Sequence, residues 1–401
     1  GGKGQESRGK PLRFRPKYGK VTAVESYRAE VHTYMKVLQW CRANAIPVIA
    51  VLAAAVTAVF VPPDSAYLGY YDVKTLSCLF CILAVVCALR GAGLFPLLAQ
   101  RLVRAFHTAR SAVTALVVVT LIGSMLLTND TALLTFLPLS WFVLEGTGQT
   151  KHTALTFILQ NCAANLGGML TPFGNPQNLY LFNHYTIPNG EFLTIMLPPF
   201  LLSTALIQAC CLLIPRETVT VPAQETPVDK RRCIVYGVLF CTAAAMVLRG
   251  IPYWLGLAAI TAALLVLDRR ALLGVDWGLL VTFAAFFTFS GNMARIEPVR
   301  TLFRQLLAHG TMPVAALTSQ VISNVPAAIL LSQFTDDYPA LLVGVNIGGA
   351  GTLVASLASL ITFREYTKHV KGQTGRFLAL FSAVSFGFLA VLLAAMTFLM
   401  Q

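Results

Sequence analysis

Long apolar runs recur along nearly the whole chain, separated by short polar breaks. A helix needs about 20 mainly apolar residues to cross a bilayer. Residues 45–62 supply the first such run, extended backward as helix to about Val31, and 74–90 supply the second. A short amphipathic piece follows at 94–108, with Arg101 and Arg104 on its polar side. Residues 111–144 are then apolar for 34 positions, interrupted only at Thr128-Asn129-Asp130-Thr131. One straight helix of that length would measure about 51 Å, against a hydrocarbon core of about 30 Å. The run therefore predicts a re-entrant hairpin that turns at Asn129. Residues 153–185 are apolar at both ends with a Gly/Pro-rich middle, which predicts a broken helix. Residues 192–214 form another span, and a polar linker occupies 216–232. Beyond it come spans at 233–248, 252–267 and 275–290 and an amphipathic piece at 297–309. A second hairpin at 311–336, a second broken helix at 340–362 and a last span at 376–400 complete the pattern.

The linker divides the chain into two halves of similar plan, 45–215 and 233–401, behind a basic segment 1–44. Asn165-Leu166-Gly167-Gly168 matches Asn346-Ile347-Gly348-Gly349, and Thr171–Asn175 falls opposite Thr352–Ser356. Thr128-Asn129 matches Ser323-Asn324, with Ser124 and Ser319 five residues earlier and Ala132 and Ala327 three residues later. Matches in one order with similar spacing indicate an internal repeat, the weak symmetry expected of secondary transporters. The fold expected is an all-α polytopic membrane protein with two inverted repeats, about 11 transmembrane helices and two re-entrant hairpins.

Composition agrees with this pattern. Apolar residues make up 56% of the 401 and charged residues only 12%, against roughly 25% charged in a soluble chain. The net charge of +13 would suggest nucleic acid in a soluble protein. Here it follows topology. With the N-terminus cytoplasmic and both hairpins re-entrant, 25 of the 30 Lys and Arg fall inside, as the positive-inside rule requires. The same assignment makes the first hairpin enter from inside and the second from outside. Nucleotide-binding loops of the P-loop and GxGxxG types are absent from the sequence, and the C-x-x-C of Cys78 and Cys81 lies in an apolar run without metal-spaced His. A membrane enzyme would need a nucleophile–base or metal constellation, and none is assembled here. A non-transporting receptor has no use for two matched polar tips.

Irregular backbone at membrane depth must face protein or a water-filled cavity. The two tips and the two helix breaks therefore meet inside the protein. Ser124, Thr128 and Asn129 with the backbone near Gly174 can supply oxygens for one cation, and Ser319, Ser323 and Asn324 with the backbone near Ala355 for a second. The bland alternative is that Ser and Thr back-bond within their own helices and Asn joins helices. Asn175, Gln177 and Asn178 in the first break, with Ser356 in the second, are candidate substrate ligands or fillers of broken backbone. Asp130 is the only acid in 111–144. An ionisable group at that depth is costly and marks function, as a proton carrier or cation ligand. The alternative is a carboxylate that caps the helix beginning at the tip.

These motifs, Thr128-Asn129-Asp130-Thr131-Ala132, Thr171-Pro172-Phe173-Gly174-Asn175-Pro176-Gln177-Asn178 and Ser323-Asn324-Val325-Pro326-Ala327 with the two Asn-x-Gly-Gly runs, resemble the ion transporter superfamily. The likeness is greatest to its arsenite-permease and anion-permease branch and covers about 45–400. It implies a homodimer in which a mobile transport domain moves as an elevator against a scaffold. The dicarboxylate symporters of that group read Ser-Asn-Thr at both tips. Here the last Thr is replaced by Asp130 and by Val325, which speaks against a dicarboxylate substrate. The resemblance implies a carrier of a small anion or an oxyacid such as arsenite, coupled to H⁺ or Na⁺. A Na⁺/H⁺ antiporter is the alternative, and a dicarboxylate or citrate symporter the lesser one. Asn129, Asp130, Asn175, Gln177, Asn178, Ser323, Asn324 and Ser356 would hold substrate. Ser124, Thr128, Asn129, Asp130, Gly174, Ser319, Asn324 and Ala355 would serve coupling. The partners expected are the small ion and the lipid bilayer, with no cofactor beyond the coupling ion and no nucleic acid. The location expected is a bacterial or archaeal inner membrane.

Overall fold

A computed structural model describes residues 44–93, 97, 101, 107–220 and 228–400. The basic N-terminal segment, the extension toward Val31, most of the amphipathic piece at 94–108 and the middle of the linker lie outside these residues. The described chain is helical, with a single antiparallel bridge between Thr108 and Thr218.

The first half begins with α1 (Ala45–Phe60) and α2 (Val73–Gly91), joined through a 3-10 turn at Ser65–Tyr70. The first hairpin follows as α3 (Ala109–Leu126) and α4 (Asn129–Gly146). The first broken helix is α5 (Thr153–Gly167) and α6 (Pro176–His184), and α7 (Asn189–Cys211) ends the half. The second half holds α8 (Lys230–Val247), α9 (Tyr253–Leu267), the short α10 (Arg269–Leu273), α11 (Trp277–Arg295) and the amphipathic α12 (Glu297–Ala308). The second hairpin is α13 (Thr311–Ile322) with α14 (Asn324–Leu331), the second broken helix α15 (Tyr338–Gly348) with α16 (Leu357–His369), and α17 (Thr374–Leu399) closes the chain.

Among the described residues, α2, α3, α7, α11 and α17 are long and apolar enough to cross a membrane, and α1, α9, α13 and α15 are shorter apolar helices. Cys78 and Cys81 are fully buried on α2 as small core residues. Several of the acids serve as helix caps. Asp72, Asp229, Asp268, Asp276 and Asp337 each accept a backbone N–H in the first turn of α2, α8, α10, α11 and α15, satisfying donors that a helix start leaves free. In a loop outside the spans, Lys151 and Gln149 bind the Glu217 carboxylate at 2.7 and 2.9 Å and hold its pKa below the ordinary value. That tie persists while the carboxylate is ionised and is lost as pH falls through the folded-state value.

Two packings position the site. The helices α3 and α4 pack on each other and both on α5, while α13 packs along α15 and beside α14. In each set a glycine permits the approach. A Cβ at Gly167 would stand 2.7 Å from Ser124 Oγ, and one at Gly348 2.8 Å from Ser319 Cβ and Oγ. Overpacking of this kind costs about 1–3 kcal/mol. Gly348→Ala should lower the unfolding free energy in detergent by that amount, and an unchanged denaturation midpoint would refute the tight fit. The other packing is α1 against α11, where Ala50, Ala54 and Ala285 form a small-residue seam backed by Phe286 and Phe289. Small residues let two apolar helices come close.

Candidate functional site

Four helices begin at the same place. The breaks fall at Leu127-Thr128, Gly168–Asn175, Ser323 and Gly349–Ser356, and α4, α6, α14 and α16 start immediately after them. The starts are locally encoded. Thr128 caps α4 through Thr131, Ser356 caps α16 through Ala358, and α6 opens with Pro176, a residue that suits the first helical position because it lacks an N–H. Ser323 is held at φ 76° and ψ 155°. That region is strained for any side chain, by about 1–3 kcal/mol, and such strain clusters at functional sites.

The tips are bonded to the breaks in matched pairs. Asn129 N donates to Gly174 O at 3.2 Å, and Asn324 N donates to Ala355 O at 2.9 Å. Asn129 Oδ1 accepts from Asp130 N and Asn324 Oδ1 from Val325 N, both at 2.9 Å. Thr171 Oγ1 donates to Met125 O, and Thr352 Oγ1 to Gln320 O. Further bonds cross between the halves, two of them at the breaks themselves. Asn175 Nδ2 donates to Asn346 Oδ1 at 3.1 Å, and Ser356 Oγ donates to Asn165 Oδ1 at 2.7 Å.

A cavity of about 370 Å³ lies where these ends meet. Its polar wall is Asn129, Asp130, Gln177, Thr282, Ser323, Asn324 and Ser356. Its apolar wall comes from Ile46, Ile49 and Ala53 of α1 and from Leu279, Phe286 and Phe289 of α11. A smaller cavity of about 190 Å³ shares Ile46, Leu279, Thr282, Leu357 and Leu360 with it and reaches Asn44, Asp276 and Arg364. The site thus opens toward the N-terminal ends of α1 and α11.

The polar residues singled out from the sequence separate into two groups. Asn129, Asp130, Gln177, Ser323, Asn324 and Ser356 line the cavity, with Asn175 fully buried beside them. Ser124, Gly174, Ser319, Ala355 and Asn178 do not line it. Ser124 Oγ donates to Leu121 O and Ala163 O, and Ser319 Oγ to Ala315 O. The Asn178 amide donates to Gly168, Met169 and Thr171 carbonyls, which closes the first break. Thr128 supplies the cap of α4, so Asp130 is left without that task.

Three buried acceptor oxygens at the site have no hydrogen-bond partner: Asp130 Oδ1, Asn175 Oδ1 and Gln177 Oε1. Buried polar atoms are normally paired, so the oxygens of Asp130 and Gln177, which line the cavity, suit a donor or a cation brought by a ligand, whereas Asn175 Oδ1 is turned against Gly168. The helix starts turn their partial positive charge toward the same space, which suits acceptor oxygens, while the leading N–H groups at Asn129, Asp130, Asn324 and Val325 are held by protein acceptors. No Lys or Arg lines the cavity among the described residues, and Asp130 is its one charged side chain.

Asn165, Asn346 and Gln320 are site-building residues that sequence patterning did not single out as ligands. Asn346 takes amide donors from Asn175 and Gln177 and gives its own to Asn178 Oδ1 and Leu342 O. Asn165 takes donors from Asn129 and Ser356. Gln320 Nε2 donates to Gly348 O and its Oε1 accepts from Thr352 N, which braces the second break. The signal for the two asparagines was present in the repeated Asn-x-Gly-Gly run. The signal for Gln320 was not, because its counterpart is Met125.

Apolar helices interrupted around a shared polar cavity define an integral membrane transport protein. The chain belongs to the citrate transporter family, which matches residues 36–337. It is 30% identical over 327 residues to an uncharacterized transporter of Methanocaldococcus jannaschii, covering 80% of this chain and 88% of that one. It is 32% identical over 284 residues to the inner membrane protein YbiR of Escherichia coli, covering 68% and 74%. A shorter stretch of 155 residues is 35% identical to the silicon efflux transporter LSI3 of Oryza sativa subsp. japonica, covering 38% of this chain and 31% of that one. The family and these relatives make the chain a membrane transporter and not an enzyme.

Proposed function

We propose that this chain is a secondary transporter of a small uncharged or singly charged oxyacid, driven by H⁺ or Na⁺ through Asp130. The observation that carries this reading is the pair of unpartnered acceptor oxygens on cavity-lining residues, Asp130 Oδ1 and Gln177 Oε1, beside four helix starts. A ligand that answers both must donate hydrogen bonds through O–H groups and accept them through oxygen. An oxyacid does both. A di- or trianion such as citrate would meet Asp130 and no cationic side chain among the described lining residues, which speaks against it in this chain. The silicon efflux activity named for the rice relative is of the favoured chemical class.

The matched bonds at the two tips support two repeats in inverted orientation. In the second hairpin, α13 and α14 have 12 and 8 residues, or about 18 and 12 Å. Neither arm crosses a core of about 30 Å, which supports re-entry. With about eleven spans and a cytoplasmic N-terminus, the assembly carrying both tips would move as an elevator along the seam of α1 and α11, in a homodimer.

Purified protein in proteoliposomes should take up arsenite or silicic acid saturably under an imposed H⁺ or Na⁺ gradient. Uptake of citrate with neither oxyacid transported would overturn the substrate class. Gradient-driven Na⁺ flux that requires no oxyacid would favour antiport, with Asp130 exchanging Na⁺ for H⁺.

A further inference from the structure

The start of α3 and the chain that leaves α7 are clamped together. Thr108 and Thr218 form the antiparallel bridge. Ala109 N donates to Glu217 O at 2.8 Å, and Val219 N to His107 O at 3.0 Å. A cavity of about 370 Å³ opens beside this clamp and shares no lining residue with the transport site. Arg110 and Arg216 stand on its wall, with the hydroxyl residues Thr108, Ser111 and Thr114. Arg110 Nε donates to Ile214 O at 2.7 Å, which fixes the side chain across the gap to the end of α7. Its two Nη groups have no partner among the described residues, and Arg216 has none at all there.

No acid balances these two guanidinium groups. The first turn of α3 has none, and no Asp or Glu lines the cavity among the described residues. Glu217, next to Arg216 in sequence, is engaged by Lys151 and Gln149. A helix start carries partial positive charge of its own, so the dipole of α3 adds to the two arginines where an anion is favoured. The capping box of Thr108 and Ser111, together with Glu217 O, occupies leading N–H groups of the helix. Recognition therefore falls to the guanidinium forks, whose planar donors match phosphate oxygens two at a time.

The cavity also changes character along one helix face. Ser111, Ala115 and Val118 follow at successive turns, and residues three or four apart share a face. The polar end lies at the helix start and the apolar end further along. The same face continues beyond the cavity as Ile122 and Leu126, which are 50% and 42% exposed. On the opposite wall, Leu212 and Leu213 are 61% and 72% exposed just before Arg216. Arginine next to exposed apolar side chains is the pattern of a membrane surface, with the stem in lipid and the charged head at the water. We infer that this cavity seats the phosphate of an anionic phospholipid, with an acyl chain laid along Ala115, Val118, Ile122 and Leu126. Basic pockets between membrane helices recognise lipid phosphates in this way. The apolar track favours a lipid over a free phosphate ion. The absence of an acid among the described lining residues favours an anionic headgroup over a zwitterionic one, whose ammonium would have no partner. The inference stands apart from the oxyacid reading and from the identity of the cargo.

Native mass spectrometry of the purified chain in detergent, titrated with phosphatidylglycerol, with phosphatidylcholine and with inorganic phosphate, tests this. The expected result is a first phosphatidylglycerol held more tightly than phosphatidylcholine. Arg216→Gln and Arg110→Gln should each weaken it about fivefold, the scale of one basic residue at an anionic lipid surface. Arg216→Gln is the cleaner variant, because Arg110 also holds Ile214 O. Lys371→Gln removes the same charge from an exposed position elsewhere and should leave retention unchanged. Equal retention of the two lipids would overturn the inference and leave the apolar track to a charge-blind occupant such as a second copy of the chain. Phosphatidylglycerol binding that neither arginine variant weakens, or that Lys371→Gln weakens as much, would overturn it too. Inorganic phosphate held through the same arginines with no preference for the lipid would make the cavity a free-anion site and overturn the lipid assignment.

Discussion

Asp130→Asn should leave a folded protein whose oxyacid uptake no longer responds to a proton or sodium gradient. The exchange is nearly isosteric. The backbone N–H of residue 130 still donates to Asn129 Oδ1, and Thr128 still caps α4, so the helix start survives. What disappears is the one ionisable group in the cavity wall. Energetic coupling between two ligands is typically about 1–3 kcal/mol, or roughly 5–150-fold in affinity. Across that range the ratio of uptake with and without the gradient should collapse to one. The measurement is initial uptake of arsenite or silicic acid into proteoliposomes at two external pH values, with and without Na⁺. A variant that keeps the full ratio removes Asp130 from the coupling role.

Asn346→Leu should cost the most stability of any single change at the site. One amide serves four groups: Asn175 and Gln177 donate to its oxygen, and its nitrogen donates to Asn178 and to Leu342 O. Leucine would remove one partner from each of three buried side-chain amides. Gln177 Nε2 would be left with no partner among the described residues, while Asn175 keeps Asn165 O and Asn178 keeps the carbonyls of the first break. Leaving a buried polar group unmet costs about 1–3 kcal/mol, so the sum is on the order of 3–5 kcal/mol after partial relaxation. Both the denaturation midpoint in detergent and the oxyacid thermal shift should fall. Asn346→Asp keeps the acceptor for Asn175 and Gln177 but sets a carboxyl oxygen against Asn178 Oδ1 and Leu342 O. Its deficit should therefore shrink at low pH, where a protonated carboxyl can donate, and grow at high pH, where a buried charge is left unpaired. A leucine variant within about 1 kcal/mol of native would show that the two halves do not depend on this bond.

The interruptions were legible because polar residues inside apolar runs are rare and costly. Asn129, the stretch from Asn165 to Asn178, and Ser323-Asn324 all read as breaks from composition alone, and the helix ends fall at or near them. The division of labour among those residues was not legible. Asn178 and Gln177 are neighbours in sequence, yet one closes the broken backbone and the other faces the cavity. Which one does which depends on where Asn346 arrives from the other half, a tertiary fact without a local pattern. The short α10 escaped notice because five residues carry too little periodicity. The strained backbone of Ser323 was equally hidden, since its counterpart Thr128 has an ordinary φ of −69°. Repeat symmetry located the second tip and missed its distortion.

The absence of a basic side chain from the described cavity wall bears on the electrical behaviour of the transport cycle. If the loaded carrier crosses with the Asp130 carboxyl neutralised by its coupling ion, that limb moves no net side-chain charge. If the empty carrier returns with the carboxyl ionised, one negative charge crosses the field on every turnover. A unit charge moved through 100 mV is worth about 2.3 kcal/mol. For an uncharged cargo the resting potential would then act on the empty limb alone, so a voltage clamp would change how quickly the carrier resets without changing how tightly it holds its cargo.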